Sequence, residues 1–194
     1  MELSSRFDRA LTFASDLHRK QMRKGSNIPY ISHLLGVCSL VLEYGGDEDS
    51  AIAALLHDAI EDQGGIATRD KIAQEFGQNV VLIVESCSDA NETPKPPWRE
   101  RKEAYIAHIP EMSSQAALVS AADKIYNANS IIKDHRLIGE EIWQRFKAKK
   151  EGTLWYYSAL LNAFRQREIT PIIEELTQVI QQLEALSQNP NDKQ

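Results

Sequence analysis

Residues Ala53-Ala54-Leu55-Leu56-His57-Asp58-Ala59-Ile60-Glu61-Asp62 put one imidazole and three carboxylates at the end of an otherwise apolar run. Polar groups turned toward a core are costly unless they find partners, and a metal ion is a partner that can satisfy several at once. On one helix running from about Ser50 to Asp62, His57 and Glu61 share a face, as do Asp58 and Asp62, because residues four apart stack along the axis. The neighbours His57 and Asp58 lie about 100° apart around that axis, which lets both reach a single ion. An imidazole combined with carboxylates suits Mn, Fe, Zn or Mg. The competing reading is a charged helix end, with His57 satisfied in the core and Glu61 and Asp62 in water.

Two further residues are candidates for the same site. His33 opens a helix directly behind Pro29-Tyr30-Ile31-Ser32, next to the basic turn Arg23-Lys24-Gly25. Asp123 lies on a helix of small residues, Ser120-Ala121-Ala122-Asp123-Lys124, where alanines permit close packing and let a carboxylate reach a core site. Taken alone, Asp123 reads more safely as the ion-pair partner of Lys124 or of another cation.

Helical spacing of apolar residues accounts for nearly the whole chain. A first helix, capped by Ser4 or Ser5, runs to about Gln21; a second, capped by Ser32, ends at Gly45-Gly46. Thr68 caps a short helix ending at Gly77, and Gln78 to Cys87 continues as another. Three prolines keep Ser88 to Trp98 irregular, and a helix resumes near Arg99 and runs to His108. Ser113 or Ser114 starts a helix to about Lys133, and a long amphipathic helix is expected from Gly139 to Arg167, with Gly152 its weakest point. Thr170-Pro171 launches the last helix, to Leu186. No strand, heptad array or repeat is expected. The fold class is all-α, a compact multi-helix bundle around a central metal site, with one domain over 1–187 and a polar tail over 188–194.

The chain has 194 residues and a formal net charge of −6, which argues against general nucleic-acid binding but leaves room for a locally basic pocket. Cys38 and Cys87 sit in apolar runs and read as buried free thiols of a reducing compartment. With no cleavable signal pattern and no run of membrane-spanning length, the expected location is the cytoplasm, with no membrane partner. Oligomeric state is open. His18, near the end of the first helix, reads as a helix-end or packing histidine, and Trp155 as packing.

In combination, the motifs resemble the HD-domain phosphohydrolases, and among them the stand-alone small alarmone hydrolases of RelA/SpoT type. The matching residues are Arg23-Lys24-Gly25, Pro29-Tyr30-Ile31-x-His33, Ala54-Leu55-Leu56-His57-Asp58-x-x-Glu61-Asp62, Phe76-Gly77-x-x-Val80 and Ala122-Asp123-Lys124-x-x-Asn127, in order from about Phe7 to Tyr157. The resemblance implies an ion, usually Mn²⁺, on His33, His57, Asp58 and Asp123, with Glu61 and Asp62 positioning or activating water. It implies that Arg23, Lys24 and Asn127 hold a nucleotide substrate. It also implies loss of the 3′-pyrophosphate from ppGpp or pppGpp. The alternatives are a related substrate, such as ppApp or the 2′-phosphate of NADPH, or a non-catalytic alarmone-binding protein. Lys95, Arg101 and Lys102 are candidates for the pyrophosphate end, and Lys149 for a phosphate-binding arginine of the family. Two departures stand out: His33 is followed by Leu34 where the family commonly has proline, and the loop around Glu92 to Lys102 holds extra residues.

Overall fold

The computed structural model describes residues 2–89 and 94–187. Its helices are α1 (Ser5–Leu17), α2 (Ile31–Glu43), α3 (Glu48–Leu56), α4 (Ala59–Asp62), α5 (Ile66–Phe76), α6 (Gln78–Cys87), α7 (Trp98–His108), α8 (Ser114–Ile138), α9 (Lys149–Phe164) and α10 (Pro171–Ser187). Short 3₁₀ turns cover Ile109–Glu111 and Gly139–Arg145. An isolated antiparallel bridge, Met22 to Pro29, closes the basic turn, and no strand forms among the described residues. The all-α expectation holds. No described helix is long and apolar enough to cross a membrane.

Two helices form the centre. In α3 every residue from Ser50 to Leu56 is buried, and α1, α2, α6 and α8 pack around it. A helix without a polar face can exist only inside a core. Each full burial of Ile52, Leu55 or Leu56 contributes about 1.5–3 kcal/mol. The second, α8, touches α2, α3, α6 and α10 and presents the buried run Val119 to Asp123. Ala121 and Ala122 are fully buried there, the close packing anticipated from the small residues.

Several boundaries differ from expectation. α1 ends at Leu17, with His18 rather than Gln21 at its C-terminus. Ser4 caps it, accepting from the Arg6 amide at 3.2 Å. Ser32 is not a cap: α2 begins one residue earlier, and its N-cap, Tyr30, makes no side-chain capping bond. Thr68 likewise lies inside α5, whose N-cap is Gly65 at φ +57°. The Thr68 hydroxyl instead donates back to the Gln63 carbonyl, tying the turn together. α8 is a turn longer than expected. The helix expected over Gly139 to Arg167 is interrupted not at Gly152 but at Phe146 to Ala148, after the 3₁₀ turn that follows the left-handed Gly139 (φ +59°). Residues 90–93 of the proline-rich segment and the tail 188–194 lie outside the described residues.

The largest departure is in the ligand helix. It breaks at His57-Asp58, where Asp58 adopts φ −99° and ψ −1°. This bridge conformation is sparsely populated and often found at functional sites. Asp58 therefore turns relative to α3 and need not obey the spacing of a continuous helix.

Gly36 sets how closely α2 approaches α8. A Cβ there would stand 1.9 Å from Cε2 of Tyr126. The Tyr126 ring packs 5.1 Å from that of His33, and its hydroxyl donates to the Ser32 carbonyl at 3.1 Å. Gly36→Ala is expected to lower stability by about 1–3 kcal/mol through overpacking. Urea melts would measure it, and Gly36→Ala combined with Tyr126→Ala should lose less than the sum of the two, because the clash is then gone.

Candidate metal centre and cleft

Three helices deliver the four expected donors to one point. His33 comes from the first turn of α2, His57 and Asp58 from the α3–α4 break, and Asp123 from the middle of α8. The two Nε2 atoms of His33 and His57 face each other at 3.2 Å. Asp123 Oδ1 lies 3.2 Å from His33 Nε2 and 3.6 Å from His57 Nε2, and Asp58 Oδ2 lies 3.6 and 3.1 Å from the same atoms. Donors about 2.1 Å from one ion stand about 3.0 Å apart at right angles and about 3.4 Å apart at tetrahedral angles. His33, His57 and Asp58 bring their ligand atoms close enough together to hold a metal ion, and Asp123 adjoins both histidines; two imidazoles and carboxylate oxygen suit a divalent cation in chemistry. Both histidines are 2% exposed or less, while the Asp58 side chain, at 25%, opens the cluster on one side.

The surroundings prepare these donors. His57 Nδ1 lies 2.8 Å from the Ala54 carbonyl, which can only accept, so that nitrogen donates there and Nε2 is the atom turned to the centre. Burial opposes a charge on His57, but Asp58 and Asp123 outweigh it and raise its pKa well above the usual range. Burial equally opposes the charge on Asp58, and His57 together with hydrogen bonds from both histidines holds that carboxyl well below its usual range. Asp123 is held low against burial by Lys124 and the same two histidines. All three directions describe a cluster that favours positive charge at its centre.

Tyr30 donates to Asp58 Oδ2 at 2.5 Å. Burial and the Asp58 carboxylate push its pKa upward, so the phenol remains a donor. His18 stacks on the Tyr30 ring at 5.4 Å, 2% exposed, in keeping with the packing role expected of it. Lys124 donates to Asp123 Oδ2 at 2.6 Å and Asn127 to Oδ1 at 2.5 Å, while Arg23 donates to Asn127 Oδ1 at 2.9 Å. Arg23 thus sits on a chain of contacts leading to the metal cluster, its guanidinium 5.9 Å from both the Tyr30 and Tyr126 rings.

These partners open onto a cleft of about 910 Å³. Of the residues singled out from the sequence, Arg23, Lys24, Glu61, Asp62, Arg101, Lys102 and Asn127 all line it. Asp62 Oδ2 accepts from Gln21 at 2.8 Å, and Gln21 accepts in turn from Gln63 at 2.6 Å. Lys95 is not in the cleft wall, but its ammonium lies 2.6 Å from Glu61 Oε1. Lys149 is not brought to the cleft. It starts α9 at φ +54° and donates to Gln144 at 2.7 Å, whereas Lys147 lines the wall. Trp155 also lies outside the wall, covered by Arg99 at 3.2 Å from its ring centre, as packing requires.

The sequence points to no role for Tyr30 or Gln21, and to Lys124 only as an ion-pair partner of Asp123, a pair the structure contains at 2.6 Å. Tyr30 and Lys124 stand in the motifs around His33 and Asp123, and that adjacency is the signal for their place in the site. Gln21 carried none, since a glutamine after a helix end is commonplace. Tyr30→Phe is expected to keep the fold and weaken metal binding by about 10- to 100-fold, the usual effect of removing a ligand's own hydrogen-bond partner. Calorimetric titration with Mn²⁺ would measure it, and unchanged affinity would remove Tyr30 from the site.

The family model for the HD domain matches residues 10–154. The chain is 42% identical over 125 residues to the guanosine-3′,5′-bis(diphosphate) 3′-pyrophosphohydrolase MESH1 of Xenopus tropicalis, covering 63% of this chain and 67% of that one. To the MESH1 of Homo sapiens it is 34% identical over 173 residues, 83% of this chain and 94% of the human one. A solved structure of a metazoan ortholog of SpoT, described as hydrolyzing ppGpp, superposes with a TM-score of 0.76 at 22% identity, covering 94% and 97% of the two chains. That likeness concerns the fold. The match to the family model and the relatives at 42% and 34% identity show that the chain belongs to the HD-domain family and, within it, to the group of the MESH1 proteins.

Proposed function

We propose that this protein is a metal-dependent pyrophosphohydrolase that removes the 3′-pyrophosphate of ppGpp and pppGpp, using one water to give pyrophosphate and GDP or GTP. One observation carries the reading: a buried two-histidine, two-aspartate cluster whose partners open into a cleft lined by both carboxylates and cations. The names of the MESH1 relatives supply the substrate.

His33, His57, Asp58 and Asp123 would hold the ion, for which Mn²⁺ is the proposed identity. Its contribution when bound is positive charge that acidifies water and offsets charge building on phosphorus. Glu61 is assigned as the base that takes the water's proton, and Asp62, fixed by Gln21, as the group that orients it. The Glu61–Lys95 pair is partly solvated and weak, so Glu61 is readily released for this work. Arg23, braced by Asn127 and two tyrosine rings, and Lys24 would hold the nucleotide's phosphates. Arg101 and Lys102 would bind the departing pyrophosphate, offsetting its charge as the P–O bond breaks. The working unit is residues 1–187 and the setting the cytoplasm, in keeping with two free cysteines whose thiols burial pushes up to about 12.

The test is release of pyrophosphate from ppGpp by the Mn²⁺-loaded protein, followed by a panel of pppGpp, ppApp and NADPH. Guanosine substrates should lead the panel, and no turnover of any 3′-pyrophosphorylated nucleotide with metal bound would refute the function. Asp58→Ala is expected to lose metal and activity together. Glu61→Gln should keep the metal, by elemental analysis, while kcat falls by about 10²- to 10⁴-fold. A fully active Glu61→Gln would remove the role given to it.

A further inference from the structure

One carboxylate in the cleft wall, Asp89, has no part in the reaction as described, although it holds two cations that do. Asp89, just past α6, accepts Arg101 Nη1 on one carboxylate oxygen and Lys102 Nζ on the other, the latter at 2.5 Å. The three side chains are 10, 13 and 18% exposed, and all three line the cleft. Burial opposes the charge on Asp89, and Lys102, Arg101 and, at longer range, Lys124 overcome it and hold the carboxyl below its usual range. The Lys102 ammonium lies 4.7 Å from the centre of the Tyr156 ring. The Tyr156 hydroxyl is buried and has no hydrogen-bond partner among the described residues.

A guanidinium fork and an ammonium converging on one acceptor group are the donors that bind a phosphoryl group. A carboxylate meets that geometry with two oxygens and one charge, whereas a terminal phosphate offers three oxygens and up to two charges. The desolvation of a partly buried ion pair largely cancels its attraction, so exchange for a more highly charged partner is favourable. The hydroxyl of Tyr156, whose ring Lys102 covers and which itself lines the cleft, is a further donor that Asp89 leaves unused.

We propose that Asp89 is a built-in competitor of the substrate: without ligand its carboxylate occupies Arg101 and Lys102, and a phosphate of the pyrophosphate group displaces it. The proposal rests on reading the cleft as a polyphosphate site. Its consequence is a threshold, because every anion must first displace Asp89 and weakly held ones do not.

Isothermal titration of the metal-loaded full chain with inorganic pyrophosphate, and separately with orthophosphate, tests it. Asp89→Asn should bind both about tenfold tighter and by the same factor, since the same displacement is relieved in each case. The gain should vanish in the double variant with Arg101→Gln. Affinity that is unchanged or weaker overturns the proposal, since Asp89 would then be orienting the two cations for the anion. Asp89→Ser serves if the asparagine variant does not fold. A crystal structure of the unaltered chain with pyrophosphate decides without any variant. Asp89 released from both cations, with pyrophosphate in its place, supports the exchange; Asp89 still on both, or pyrophosphate elsewhere, overturns it. A protein that turns over no nucleotide but gains pyrophosphate affinity in Asp89→Asn would refute the hydrolase reading and leave the competitor standing.

Discussion

Two imidazole nitrogens 3.2 Å apart in a buried space impose the constraint on which the rest of the structure depends. The Ala54 carbonyl accepts from Nδ1 of His57, so its Nε2 is the atom turned to His33, and both rings are buried. Asp58 and Asp123 set negative charge beside both rings and so favour a positive charge at the centre. Holding the four donors within reach requires α2, α3 and α8 to pack more closely than ordinary side chains allow. Gly36 against Tyr126 and the alanines before Asp123 provide that closeness.

The contacts around this cluster form layers in which both carboxylate donors are fixed by residues that also face the cleft. Tyr30 holds Asp58, while Lys124 and Asn127 hold Asp123 and Arg23 holds Asn127. A group arriving in the cleft therefore meets side chains already bonded to the Asp58 and Asp123 carboxylates, so the cleft wall and the buried cluster are linked without any large movement. Preorganisation of this kind is where electrostatic catalysis draws most of its effect. It also explains how an acidic chain, at −6, presents a pocket suited to an anionic ligand. The cations are concentrated where the fold gathers them, and the acidic excess is spread over the outside.

The chain by itself determined the all-α class and the donor types, because helical periodicity and the His-Asp pairs are local properties. Gln78 to Cys87 and the start at Pro171 read correctly for the same reason: a run of apolar residues or a proline at the first turn acts over a few neighbours. Ser32 and Thr68 misled because a hydroxyl is only a candidate cap; Thr68 bonds the Gln63 carbonyl instead. Gly152 misled because its neighbour Ala148 packs against the space a Cβ would fill, a reason for glycine that has nothing to do with ending a helix.

Tertiary structure alone decided the break at Asp58, the convergence of donors separated by as many residues as His33 and Asp123, and the division of the basic residues into those in the cleft and those outside it. Lys147 and Lys149 are alike in charge and nearly adjacent, yet the turn before α9 sends one to the cleft wall and the other to Gln144. Side-chain chemistry is written in the order of residues. Which of two similar side chains meets a partner depends on backbone direction at a turn, and that is set by packing between helices distant in the chain.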